Sequence, residues 1–171
     1  MTRVAFLLHR LHGGGAERVV LRLAGELAQR GHEVELLVAA PGGELAHEVP
    51  PGVTLRVLGS GRTRSSLRPL VRLLRDRPPD VLVAALAEAT LSGIAARGLV
   101  AAGRRGAGGT AVLATVHNHP RAELAGTRSR KDRLLMRMAI RSYRYADAVV
   151  CVSQGLADDL AAATGEQVRA E

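Results

Sequence analysis

Apolar runs of strand length alternate with segments of helical period along most of the chain. Residues 3–8, RVAFLL, are nearly all apolar, as a strand covered on both faces must be. Next, Ala16, Val19, Val20, Leu23, Ala24, Leu27 and Ala28 recur at steps of three and four. That period predicts a helix with one apolar face, closed by Gly31 in a left-handed conformation. EVELLVA (33–39) reads as a second strand and VTLRVL (53–58) as a third, separated by the turn-rich residues 41–52. A helix near 67–76 stops at Pro78 and Pro79, and DVLVAAL (80–86) is the fourth strand. A helix over about 90–102 precedes strand 111–116, a loop at HNHPRAELAGT (117–127), a long helix over about 129–145, strand 148–152 and a last helix near 154–164. The alternation predicts an α/β fold: a Rossmann-like, doubly wound, mostly parallel sheet of six or seven strands with helices on both faces.

At 171 residues and 47% hydrophobic, the chain suits one ordinary globular domain. Cys151 is the only cysteine and lies in the apolar run AVVCVS, where it reads as a small buried residue and not as a redox group. Five apolar residues before His9 are too few for a signal-peptide core, and Glu88 and Arg97 interrupt the longest apolar stretch short of the roughly 18 residues a membrane span requires. The expected location is cytoplasmic.

HGGGAE (12–17) stands where the first strand turns into the first helix. In doubly wound sheets ligands gather at the C-terminal strand ends, and a helix N-terminus there favours an anion. Gly13, Gly14 and Gly15 would let backbone N–H groups approach a diphosphate without a Cβ in the way, although a tight strand-to-helix turn alone also accounts for them. A dinucleotide fingerprint from Gly13 needs glycine at 18, where Arg18 stands, and an acid closing the second strand, where Ala39 and Ala40 stand. No lysine follows a glycine, so a nucleotide-triphosphate P-loop is also absent.

GGGAERVVLRLAGELAQRGHEVELLV (13–38) resembles the opening of the family-4 retaining glycosyltransferases, which pair two Rossmann-like domains across a cleft in the GT-B architecture. RPPDVLVAAL (77–86), LATVHN (113–118) and ADAVVCVSQGLADDL (146–160) resemble later strands of the same N-terminal domain, so the likeness runs from about residue 3 to about 165. The resemblance implies an acceptor-side domain over 1–165, with 166–171 beginning a linker to a donor-binding domain outside this sequence. It also implies a nucleotide-sugar donor held largely by that second domain, no metal or other cofactor, and little turnover by this half alone. A non-catalytic subunit of a split transferase remains the alternative.

Four of the six histidines, His9, His12, His117 and His119, fall near C-terminal strand ends. The resemblance places the family's active-site histidine at His117, where an imidazole would orient the transferred sugar while backbone N–H groups stabilise the leaving diphosphate. Glu88, Asn118 and His12 are candidates for reading acceptor hydroxyls. A third alternative is a metal hydrolase, with His117 and His119 joining His9, His12 or Glu88 around an ion. Ser153 precedes the last helix as its N-cap.

Charge then singles out one helix. Between Arg121 and Arg144, eight basic residues stand against Glu123 and Asp132, a local +6 within a total of +8. On a helix Arg130, Arg133, Arg137, Arg141 and Arg144 fall within roughly 80° of one another, opposite Leu135, Met138, Ala139, Ser142 and Ala146. Such a stripe is either a solvated face or a surface for anionic lipid, a fitting place for a domain that takes lipid-linked acceptors. Nucleic acid is not the expected partner: Phe6, Tyr143 and Tyr145 are the only aromatics available for stacking.

Overall fold

In β1 (Arg3–Leu8), Val4, Phe6 and Leu8 point to one face of the sheet and Ala5 and Leu7 to the other, and all five are buried. Burial on both faces is why this run carries no polar alternation. The computed structural model describes residues 1–59, 63–103 and 109–165; the expected linker at 166–171 lies outside them. With β2 (Glu33–Val38), β3 (Val53–Val57), β4 (Val81–Ala85), β5 (Ala111–Val116) and β6 (Ala148–Cys151), β1 forms a six-stranded sheet ordered β3-β2-β1-β4-β5-β6. Every neighbouring pair is parallel.

Helix α1 (Gly15–Gln29) seals the face of Val4, Phe6 and Leu8 through Val20, Leu21 and Ala24. On the other face α2 (Thr63–Asp76) and α3 (Ala87–Ala102) cover Ala5, Leu7, Leu82 and Ala84. A third cluster joins β5 and β6 to α5 (Arg130–Ser142) and α6 (Gln154–Thr164), with Cys151 buried inside it. Burial pushes the Cys151 thiol pKa up, which keeps it protonated and unreactive.

The chain winds one way from β1 to β3 and the other way from β4 to β6, so the loops leaving β1 and β4 diverge. That divergence opens a crevice at the C-terminal strand ends. The opposite ends are tied by acids: Asp80 Oδ2 accepts from Arg3 N at 2.7 Å, and Asp147 Oδ2 accepts from Val112 N at 2.7 Å.

Gly31 adopts φ +84° and ends α1 as expected, with His32 N donating to Leu27 O at 3.1 Å. Four local expectations are corrected. Val19 and Leu23 are 43% and 47% exposed, because α1 turns Val20, Leu21 and Ala24 inward instead. The second helix starts at Thr63 and carries Pro69 inside it. The loop after β5 contains a seven-residue helix, α4 (Pro120–Gly126), which begins on proline because the first helical N–H needs no partner. Met138 is 52% exposed and not packed on the sheet, while Ala139, Ile140 and Ser142 are buried.

Candidate active site

The glycine loop lies at the switch-point crevice, between the end of β1 and the N-terminus of α1. Gly13, Gly14 and Gly15 are exposed, and Gly14 is the extended N-cap of α1. Among the described residues no hydrogen bond occupies the N–H groups of these three glycines. Their α-carbon faces are crowded by acids: a Cβ at Gly14 would collide with Glu17 Oε2, and one at Gly13 would stand 2.5 Å from Glu44 Oε2. Two carboxylates therefore rest on the loop from the side, while its amides stay open.

A second glycine loop supports the first. Gly43 has φ +116°, and any Cβ there would overlap the carbonyl oxygen of Leu11, which accepts from Leu45 N at 3.1 Å. Only glycine permits that approach. Sequence reasoning passed over Gly43 and Glu44 because residues 41–52 read simply as a turn.

Beyond β5, His117 is partly buried and its Nε2 lies 3.0 Å from Thr115 Oγ1. Burial lowers its pKa from the ordinary value, and Glu17 opposes that effect by raising it. The imidazole is therefore neutral near pH 7, with Nδ1 free of the threonine contact. Glu17 links the glycine loop and His117 within one electrostatic environment.

The remaining candidates separate. Glu88 stands in the first turn of α3 with Oε2 3.8 Å from His9 Nδ1. Asn118 Nδ2 donates to Glu123 Oε1 at 2.8 Å, so this side chain closes its own loop. His12 is exposed. His119, the residue before α4, lies 3.8 Å from Asp159 Oδ2 of α6, so it does not join His117. Among the described residues no group of three or more His, Cys, Asp or Glu is arranged to hold a metal ion.

Helix α5 exposes Arg130, Arg133, Arg137 and Arg141, and Arg144 follows in a 3-10 turn. Leu134 and Met138 are 61% and 52% exposed among them. Ser129 caps the helix by accepting from Asp132 N, and Arg144 packs over the Tyr145 ring at 4.9 Å. No helix among the described residues is long and apolar enough to cross a membrane.

Residues 13–170 match the model of Glycosyltransferase Family 4. The chain belongs to that family. Its fold is that of the N-terminal half of GT-B glycosyltransferases. Anabaena HepE in complex with UDP matches at 18% identity and TM-score 0.69, over 98% of this chain and 43% of that one. Sucrose-phosphate synthase from Thermosynechococcus elongatus matches at 16% and 0.72, over 99% and 47%. TcCGT1 in complex with UDP matches at 10% and 0.63, over 99% and 50%. This family 4 chain thus spans half or less of each of these structures. No curated protein sequence matches it.

Proposed function

We propose that this domain is the acceptor-side half of a retaining glycosyltransferase, moving a sugar from a nucleotide-sugar donor to a glycan, lipid-linked or small-molecule acceptor. The observation that carries the reading is the open set of N–H groups at Gly13, Gly14 and Gly15, placed in the switch-point crevice and sharing Glu17 with His117. Backbone amides at a helix N-terminus suit a diphosphate whose negative charge grows as the sugar departs. UDP in complex with HepE and TcCGT1 supports a nucleotide-linked donor.

In this reading a second Rossmann-like half, in the same or another polypeptide, holds most of the donor, and this half alone turns over little substrate. Neutral His117, anchored through Nε2 to Thr115, offers Nδ1 to a hydroxyl of the transferred sugar. It orients without ionising, and the leaving diphosphate takes the acceptor proton, with no metal required. Glu88, Asn118 and His12 contact acceptor hydroxyls; Asn118 must first release Glu123. The arginine face of α5 holds the domain against an anionic membrane on the cytoplasmic side, near lipid-linked acceptors.

The test restores the donor half and screens nucleotide sugars for transfer. We expect His117→Ala to lower kcat about 100-fold or more, the scale on which positioned polar groups act. Unimpaired transfer by this variant would remove the histidine from the mechanism. Gly14→Val should raise the donor KM, whereas unchanged donor affinity and turnover would reduce the loop to a turn.

A further inference from the structure

β1 and β4 part at the switch point, and His9 and Glu88 stand across the gap between them. Nδ1 and Oε2 are 3.8 Å apart, too far for a direct hydrogen bond. A hydroxyl oxygen seated beside both would reach each at an ordinary hydrogen-bond length. Both side chains are partly open to solvent, at 39% and 48%. They border a recess of about 10 Å³ that also touches Ser66, Ser92 and Leu58, room for about one water-sized group.

The backbone that presents Glu88 is strained. Leu86, at the junction of β4 and α3, has φ +74°, the one positive value at a non-glycine residue among those described. A leucine holds that conformation only when its surroundings impose it, and such strain collects at functional sites. Here Leu86 N donates to Thr115 O at 3.1 Å, and Leu86 O accepts from both Thr90 N and Thr90 Oγ1 at 3.0 Å. Thr115 also contacts His117. One strained leucine thus ties the His9–Glu88 pair to the strand that carries the sugar-orienting histidine.

We propose that His9 and Glu88 together grip a neutral, hydroxyl-rich acceptor. Glu88 accepts from one hydroxyl, and His9 bonds the same hydroxyl or its neighbour. The Glu88 carboxylate also repels acceptors carrying phosphate or carboxylate at that position. This rests on the acceptor-side reading of the domain, and it adds His9, which the sequence offered only as a metal ligand.

The test titrates methyl α-D-glucopyranoside and glucose 6-phosphate into the isotope-labelled chain and follows the amides of residues 86–88 and the His9 ring by NMR. The neutral sugar is expected to shift these signals saturably and to bind better than the phosphate. Glu88→Gln should weaken the neutral sugar about tenfold, as loss of a charge-assisted hydrogen bond implies, and His9→Gln about threefold or more, on the scale of an ordinary hydrogen bond. Glu88→Gln should also narrow its lead over glucose 6-phosphate. Glu88→Asp, which keeps the charge and shortens the reach, serves if the glutamine variant unfolds. Signals unmoved by the neutral sugar, or variants that bind it like wild type, overturn the pair. In the reassembled two-half enzyme, active transfer with an unchanged acceptor KM in these variants sinks the pair and spares the transferase reading. Sugar binding at the pair without transfer from any nucleotide sugar does the reverse.

Discussion

Glu17 raises the proton affinity of His117 across the crevice, working against the larger effect of burial, which lowers it. The two residues are a hundred positions apart and belong to α1 and the end of β5, with β4 between their strands. The electrostatic influence of one on the other is therefore a product of the sheet order.

Because burial wins, the folded His117 pKa lies below the ordinary 6.5 that the unfolded chain retains. Unfolded protein then binds the proton first as pH falls. This contribution to stability is fully present above 6.5 and is lost as pH falls through the folded value. Thermal melts between pH 7.5 and 5 should fall more gently for His117→Gln than for wild type. Identical slopes would mean that the imidazole ionises as easily folded as unfolded.

Glu17 sits beside the amides that a diphosphate would use, and a carboxylate there competes with an anion at the helix N-terminus. Glu17→Gln should tighten UDP binding roughly 2- to 5-fold, equivalent to about 0.5–1 kcal/mol. Isothermal titration of the reassembled enzyme measures it. Equal or weaker binding would place the diphosphate elsewhere.

Gly43 and Gly14 should respond differently to alanine. At Gly43 the new methyl meets the Leu11 carbonyl with φ at +116°, and strain alone costs about 1–3 kcal/mol. At Gly14 it meets only the mobile end of Glu17, so stability should stay within about 0.5 kcal/mol of wild type. Denaturant titrations decide the matter. A tolerant Gly43 would show that the second loop does not brace the first.

Leu134 and Met138 lie exposed beside the arginine face of α5, an arrangement suited to insertion at a headgroup boundary. Sedimentation with anionic vesicles should fall about fivefold per charge removed in Arg137→Gln and Arg141→Gln. It should also fall in Leu134→Ser with Met138→Ser, and with rising salt. Neutral vesicles should bind weakly throughout. Binding indifferent to charge, salt and lipid would leave α5 a solvated surface.

Local patterns were legible wherever the physics is local. The continuous apolar run of β1, the left-handed Gly31, the Ser153 cap and the proline stop after α2 each follow from a few neighbouring residues. Inward faces were harder to read. Val19 and Leu23 look as apolar as Val20 and Ala24, but only the position of α1 on the sheet selects which pair is covered. Met138 failed for the same reason. Helix α4 was missed because seven residues offer less than two full helical periods.

By itself the sequence determined the order of the strands and the longer helices, the glycine loop at the first strand-to-helix turn and the family likeness, since these depend on period, turn chemistry and spacing along the chain. Tertiary structure alone decided that Glu88 meets His9, that His119 turns to Asp159 and that Glu17 acts electrostatically on His117. Those pairings depend on which strands become neighbours and how far each side chain projects beyond the sheet's edge, and parallel order joins residues that lie many positions apart.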